Sequence, residues 1–334
     1  LILSPCVARP RQRVFGMTND AVDHAAIATD AIDGALEQLT DRLRGMVVGM
    51  ATGDALAVSV QYRRPGSFMP VSDFLGGGPY DLPRGAFSDD TAVGFILLDT
   101  LLEHQSFNAD SFIHRLRLWA DEGIGAATGV CAGISAATAR LLRAPVGDLP
   151  AAGAHVCGLT DRAAREMLLK GWIIGVYFAF ETESIEVECA KLCQLFQCDE
   201  PVTHLVNAMA QFAARWLQGE YPPALFETDP FVDIIGQGER LRAEGAEDDP
   251  RALWSILKQI LTSRFSAKEQ ILMMVNRGGD ADVHATLAAA MIGARVGLKG
   301  LPPEWVDSLV PQAMIQSMSL RLARGLLERL VRAA

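Results

Sequence analysis

Apolar residues recur at the 3.6-residue period of an α-helix along most of this chain, which leaves little room for any architecture but packed helices. The period predicts helices over 30–50, 91–104, 109–121, 135–143, 161–180, 185–195, 202–218, 250–261, 267–275, 283–296 and 311–331. Start signals agree. Asn108 precedes one helix, and Ser266 with Glu269 three residues on forms a capping box before another. Extended segments are confined to 58–62 and 68–74, both short. The expected fold class is therefore all-α, a single compact multi-helix domain over residues 41–334. Residues 1–40 are expected to form an N-terminal extension, partly disordered, with 1–16 lying upstream of a natural start at Met17. The polar stretch 219–250 reads as a surface excursion holding a helical turn at 231–235.

Composition narrows the function classes. The chain has 334 residues, half of them hydrophobic, enough to bury a large core. No window reaches about 18 consecutive apolar residues, so no membrane span is expected. A net charge of −10 with no Lys/Arg-rich run argues against nucleic-acid binding. The six cysteines show no disulfide framework, which fits a reducing cytoplasm. Cys189 and Cys193 fall at i, i+4 of a helix near Cys198, and buried small hydrophobes are a better reading than a zinc site. Trp119, Trp172, Trp216 and Trp254 read as core. Tyr80 or Phe87 is placed to stack on a flat ligand, with packing the competing reading.

Gly45, Gly49 and Gly53 recur every four residues and form a smooth stripe for close approach of another helix. Asp54 follows the stripe and reads either as a turn residue or as a supporting acid. Two aspartate pairs carry the chemistry. Ser88-Asp89-Asp90-Thr91 follows Gly76-Gly77-Gly78-Pro79, and Gly278-Gly279-Asp280-Ala281-Asp282 leads into an Ala/Gly-rich helix. Helix capping alone would use one acid per helix. Clustered carboxylates at helix N-termini suit hard divalent cations, because Mg²⁺ and Mn²⁺ take oxygen ligands and offset carboxylate repulsion. His284, two residues after Asp282, reads first as a supporting residue.

These motifs, in this order, resemble those of the ADP-ribosylglycohydrolase family, which includes the dinitrogenase-reductase-activating glycohydrolases. The stretch Gly49-Met50-Ala51-Thr52-Gly53-Asp54-Ala55-Leu56 is similar to the family's early motif. The two aspartate motifs and Leu301-Pro302-Pro303-Glu304-Trp305 match later ones. The resemblance spans about residues 43–305. It implies an all-α fold, two Mg²⁺ or Mn²⁺ ions, and hydrolysis of the glycosidic bond at the ribose of ADP-ribosylated side chains. It implies Ser88, Asp89, Asp90, Asp280 and Asp282 as metal ligands, with Asp89, Asp90 and Asp282 catalytic. It also implies Gly76, Gly77, Gly78, Gln61 and Gly278 at the substrate.

The departures from the family pattern are as informative. Gln61 stands where the family has Glu, and it cannot act as a base. Val283 and Ala281 replace threonines. The segment Gly133-Ile134-Ser135-Ala136-Ala137-Thr138 replaces an Asp-containing motif of arginine-directed relatives. Residues 165–170 and 197–201 replace two further motifs. Three readings follow. The first is a metal-dependent hydrolase that removes ADP-ribose from arginine or another acceptor. The second is a weakened or inactive relative that binds ADP-ribose or an ADP-ribosylated partner. The third is a hydrolase of another ribosyl substrate.

Overall fold

The computed structural model describes the backbone of residues 19–143, 157–220 and 223–333, with side chains from residue 32 to 332 within these. The expectations for residues 1–16 and Met17 lie outside the described residues. The chain divides into two units, Leu1–Gln38 and Leu39–Ala334.

Among the described residues there are thirteen α-helices and no strand, only isolated bridges. In order they are α1 (Asn19–Ala57), α2 (Asp89–His104), α3 (Ala109–Glu122), α4 (Ala136–Arg143), α5 (Arg162–Tyr177), α6 (Ile185–Leu195), α7 (Glu200–Leu217), α8 (Phe231–Ala243), α9 (Pro250–Leu261), α10 (Ala267–Val275), α11 (Ala281–Val296), α12 (Pro303–Ser308) and α13 (Gln312–Ala333). The all-α expectation holds, and α6, α9 and α10 run over the predicted bounds. The caps also hold. Asn108 accepts from the Ser111 amide, and Ser266 and Glu269 form the reciprocal box.

Three expectations change. The segment 58–62 is a 3₁₀ helix followed by a turn, and 68–74 is irregular; the apolar residues there serve burial, as Val58, Val60, Val71 and Phe74 show. The supposed surface excursion contains α8, whose Phe231, Ile234, Ile235 and Gly238 form one buried face. Gly238 lies so near α9 that a Cβ there would be 2.0 Å from the Arg251 carbonyl oxygen. Phe231 stacks on Trp254 at 5.7 Å beside Phe212. The polar majority of that stretch masks this stripe. The short helix α12 carries no periodic signal, and it seats Trp305 against Phe74.

Helix α11 is the axis of the Leu39–Ala334 unit. Its residues 281–294 are all buried, and it touches α2, α5, α7, α9 and α10. Burial on every side explains its Ala-rich sequence, because small side chains admit neighbours all round. The glycine stripe of α1 meets it in antiparallel register. Cβ atoms at Gly45, Gly49 and Gly53 would sit 2.3, 2.2 and 2.1 Å from the carbonyl oxygens of Gly293, Ala289 and Ala285. Gly171 and Gly175 of α5 repeat the device against Val206 and Ala210 of α7. The stretch Ile32–Val60 is long and apolar enough to cross a membrane, but 89% of its apolar window is buried within the protein, as in a core helix.

Arg42 ties helix ends together. Its guanidinium donates to the carbonyls of Ala294 (2.8 Å), Leu217 (2.9 Å) and Trp216 (2.7 Å), all buried. These carbonyls lie at the negative ends of α11 and α7, where a cation is favoured. Arg42→Met strands them and is expected to cost roughly 3 kcal/mol. The check is a lower urea midpoint at unchanged slope. An unmoved midpoint would mean that water serves the carbonyls equally well.

Candidate acidic centre

The first aspartate pair is held by a third acid. Asp54, near the end of α1, is fully buried. Its carboxylate accepts from the Ser88 amide (3.0 Å), the Ser88 hydroxyl (2.6 Å) and the Thr91 amide (2.9 Å). Asp54 thus satisfies the N-terminal amides of α2, which Ser88, the N-cap residue, does not do with its own side chain. Between the two sequence readings, the supporting acid is the one observed. With its proton committed to Asp54, the Ser88 oxygen keeps its lone pairs for another partner.

The loop before α2 is fixed from the far end of the chain. The Val310 amide donates to the Gly85 carbonyl (2.8 Å). Gly85, at φ +78°, passes so near residue 308 that a Cβ would be 2.0 Å from the Ser308 carbonyl oxygen. Asp89 and Asp90 therefore enter α2 at a set position. Both are buried, and Asp89 Oδ1 and Asp90 Oδ2 have no hydrogen-bond partner. Burial, followed by the Asp282 charge, pushes Asp89 up to about 8 and lifts Asp90 well above the usual carboxylate range.

The second pair stands on a loop locked to residues 62–63. The Tyr62 amide donates to the Gly279 carbonyl and the Gly279 amide to the Arg63 carbonyl, both at 2.8 Å. Gly278, at φ +72°, leaves 2.6 Å between a notional Cβ and the Arg63 carbonyl oxygen, so glycine is required there. Asp282 is fully buried. Burial pushes it up to about 7, while Arg162 pulls it down. Gln61 donates through Nε2 to Asp282 Oδ2 and, at 3.0 Å, to the Tyr62 hydroxyl oxygen. Gln61 Oε1 and Asp282 Oδ1 have no hydrogen-bond partner. His284 is buried beside the pair and its imidazole is pushed down to about 3 by burial, so it stands there neutral.

Two arginines from the first turn of α5 enter this cluster. Arg162 Nη2 donates to Asp282 Oδ2 at 3.0 Å, and its Nε lies 3.2 Å from Asp280 Oδ1. Its guanidinium also covers the Tyr62 ring at 4.5 Å. Arg165 donates to Asp280 Oδ2 through Nε (2.8 Å) and Nη2. Beyond them Lys170 faces Glu166 at 3.9 Å.

Among the described residues, no three His, Cys, Asp or Glu side chains stand together as a ready-made metal cage. The physical reason is the arginines. They turn Asp280 and one oxygen of Asp282 toward themselves, so the ligand set expected from the sequence divides. Asp280 and Asp282 are ion-paired to the arginines, while Ser88, Asp89 and Asp90 stand at the start of α2. The buried oxygens that no protein group answers, Asp89 Oδ1, Asp90 Oδ2, Asp282 Oδ1 and Gln61 Oε1, are hard donors of the kind Mg²⁺ and Mn²⁺ take. Their chemistry suits a divalent cation, although among the described residues they do not stand as a ready-made cage.

The glycine triplet divides likewise. Cβ atoms at Gly76 and Gly78 would strike the Leu82 and Val58 carbonyl oxygens at 2.6 and 2.1 Å, so both are explained by packing; Gly77 faces open space. Phe87 packs edge-on against Phe95 in the core and is not available to stack on a ligand. Tyr80 and Tyr62 keep 36% and 47% of their surface exposed, which leaves their rings accessible beside Arg162. Cys189 and Cys193 are buried, as read from their spacing. Gly133, at φ +84°, lies against Asp89, where a Cβ would be 2.4 Å from Oδ1.

Sequence reasoning missed Arg162 and Tyr62, and it named Arg165 and Gly133 only as parts of segments that replace family motifs. A signal existed for the arginines. Arg162, Arg165, Glu166 and Lys170 are spaced as one helical face of a segment otherwise apolar all round, and buried charges need partners.

Comparison with known proteins agrees with the fold. Residues 35–333 match the family described as ADP-ribosylglycohydrolase. A protein of Pseudomonas putida (strain GB-1) named ADP-ribosylarginine hydrolase Tri1 is 29% identical over 86% of this chain and 79% of its own. Its namesake from Serratia proteamaculans (strain 568) is 24% identical over 84% of this chain and 79% of its own. A solved structure titled ADP-ribosylglycohydrolase-related protein complex superposes with a TM-score of 0.67 over 86% of this chain and 99% of its own, at 22% identity, which shows the shared fold. With its helical order, its two aspartate loops and a match over nearly its whole length, the chain belongs to the ADP-ribosylglycohydrolase family.

Proposed function

We propose that this protein is a metal-dependent hydrolase that removes ADP-ribose from modified protein side chains, with arginine as the first acceptor to test. The observation that carries this reading is the set of unanswered buried oxygens on Asp89, Asp90, Asp282 and Gln61. Folding alone gives no reason to bury them without partners. Ser88, Asp89, Asp90 and Asp282 would hold a Mg²⁺ or Mn²⁺ ion, which supplies Lewis acidity at the ribose. Asp54 keeps Ser88 and the start of α2 in place. The half-exposed Tyr62 and Tyr80 rings offer apolar faces to a ribose or base, and Gly77 leaves room for it. The two relatives named ADP-ribosylarginine hydrolase support the choice of acceptor.

The deciding assay is release of ADP-ribose from an arginine-ADP-ribosylated protein with Mg²⁺, with Mn²⁺ and with chelator. Metal-dependent release is the expected result. The same metals are expected to raise the melting temperature, since a ligand at about 100 times its Kd adds roughly 2.7 kcal/mol to stability. No shift at millimolar metal would count against the reading.

A second reading is favoured by the ion pairs of Arg162 and Arg165 with Asp280 and Asp282. In it the protein binds ADP-ribose or an ADP-ribosylated partner without cleaving it. Calorimetric ADP-ribose binding with no release from any acceptor would select it.

A further inference from the structure

We infer that the guanidinium of Arg162 occupies the place of a second cation, so that this centre takes one exchangeable divalent ion beside one fixed positive charge supplied by the chain. The inference deepens the proposed metal-dependent reading and rests on it.

Charge balance carries the argument. Asp280 is held by both arginines, and one oxygen of Asp282 by Arg162. Glu166 faces Lys170. Asp54 is answered by three hydrogen bonds. Among the described residues, Asp89 Oδ1 and Asp90 Oδ2 meet neither a cation nor a hydrogen-bond donor, and both side chains are at least nine-tenths buried. Two carboxylates left over match one divalent ion, not two.

Donor geometry points the same way. Both oxygens of Asp280 face arginine, Oδ2 toward Arg165 and Oδ1 toward Arg162 Nε at 3.2 Å. Val283, fully buried and without an oxygen in its side chain, offers nothing to an ion on that side. Gln61 gives its amide N–H to the same Asp282 oxygen that Arg162 holds, so that oxygen already has two donors. A glutamate at 61 would face the opposite way in charge and would call for a second cation. Glutamine is what a site already neutralised by arginine can tolerate. Arg162 is also anchored outside the cluster, on the Tyr62 ring, which holds its planar head in position.

The test uses Mn²⁺ alone as the probe, read by calorimetric stoichiometry and by electron paramagnetic resonance. Wild type is expected to bind one ion with the spectrum of an isolated Mn²⁺, and Asp89→Ala to lose it. Arg162→Ala is expected to bind a second ion and to show the broadened, exchange-coupled spectrum of a pair. Two ions in wild type would overturn the inference while leaving the metal-dependent reading intact. No ion in wild type would overturn that reading itself. A single ion in a folded Arg162→Ala protein, with affinity unchanged within about twofold, would also overturn the inference, since second-sphere changes alone typically move affinity by about 10–100-fold. Should Arg162→Ala fail to fold, the wild-type stoichiometry and its spectrum decide the question.

Discussion

Asp89→Ala is expected to lower ADP-ribose release by roughly 10³-fold or more, since losing one preorganised charge-stabilising group costs about 10²–10³ even where others remain. Here fewer remain. Asp89 supplies one of the two carboxylates at the start of α2 that, among the described residues, no arginine or lysine answers, and its Oδ1 lies against Gly133. The loss is expected without unfolding. In metal-free protein Asp89 is a buried acid next to Asp90 and Asp282, so removing it relieves repulsion rather than breaking a bond. Metal-free Asp89→Ala should therefore melt at or above wild type, while added Mn²⁺ should raise the melting temperature of wild type only. A variant that loses both activity and its fold would show Asp89 to be structural.

Gly49→Val is expected to produce a large stability loss, roughly 4 kcal/mol or more, beyond ordinary overpacking. A Cβ at 49 would be 2.2 Å from the Ala289 carbonyl oxygen and 2.9 Å from its carbon, both backbone atoms of a helix buried on all sides. No flexible group can yield there, so the two helices must part. At about 2–4 °C per kcal/mol for a chain of this general size, the melting temperature should fall by roughly 10 °C. Gly34→Ala is the control. It lies in the same helix with open space around the added carbon, and alanine there should gain about 0.5–1 kcal/mol. Equal losses from both variants would mean that close approach is not what the stripe provides.

The fold was legible because its signals are local. Helix period, the Asn108 cap and the Ser266 box each lie within a few residues, and the glycine stripe announced a close neighbour, which proved to be α11. Helix α8 escaped because four buried positions lie among polar ones, and α12 because six residues carry less than two turns of period. The aspartate loops were legible because each is contiguous. What was not legible is which charge answers which. Asp280 and Asp282 meet arginines from α5, over a hundred residues earlier, and periodicity says nothing about such pairings. The resemblance to the family directed attention to Gln61 and Val283 as losses. The arginines that accompany those losses are visible only in three dimensions.

The clasp between Gly85 and Val310 has a consequence for how the protein is made. A ribosome releases the chain from its N-terminus, at about 5–20 residues per second. The helices that carry Asp54, Asp89 and Asp90 are synthesised long before Val310, the partner that closes their loop. Until then the acids stand on an unfastened loop, without α11 and without the segment at 308–310. A nascent chain halted before residue 310 would thus carry Asp89 and Asp90 behind a loop still open at Gly85.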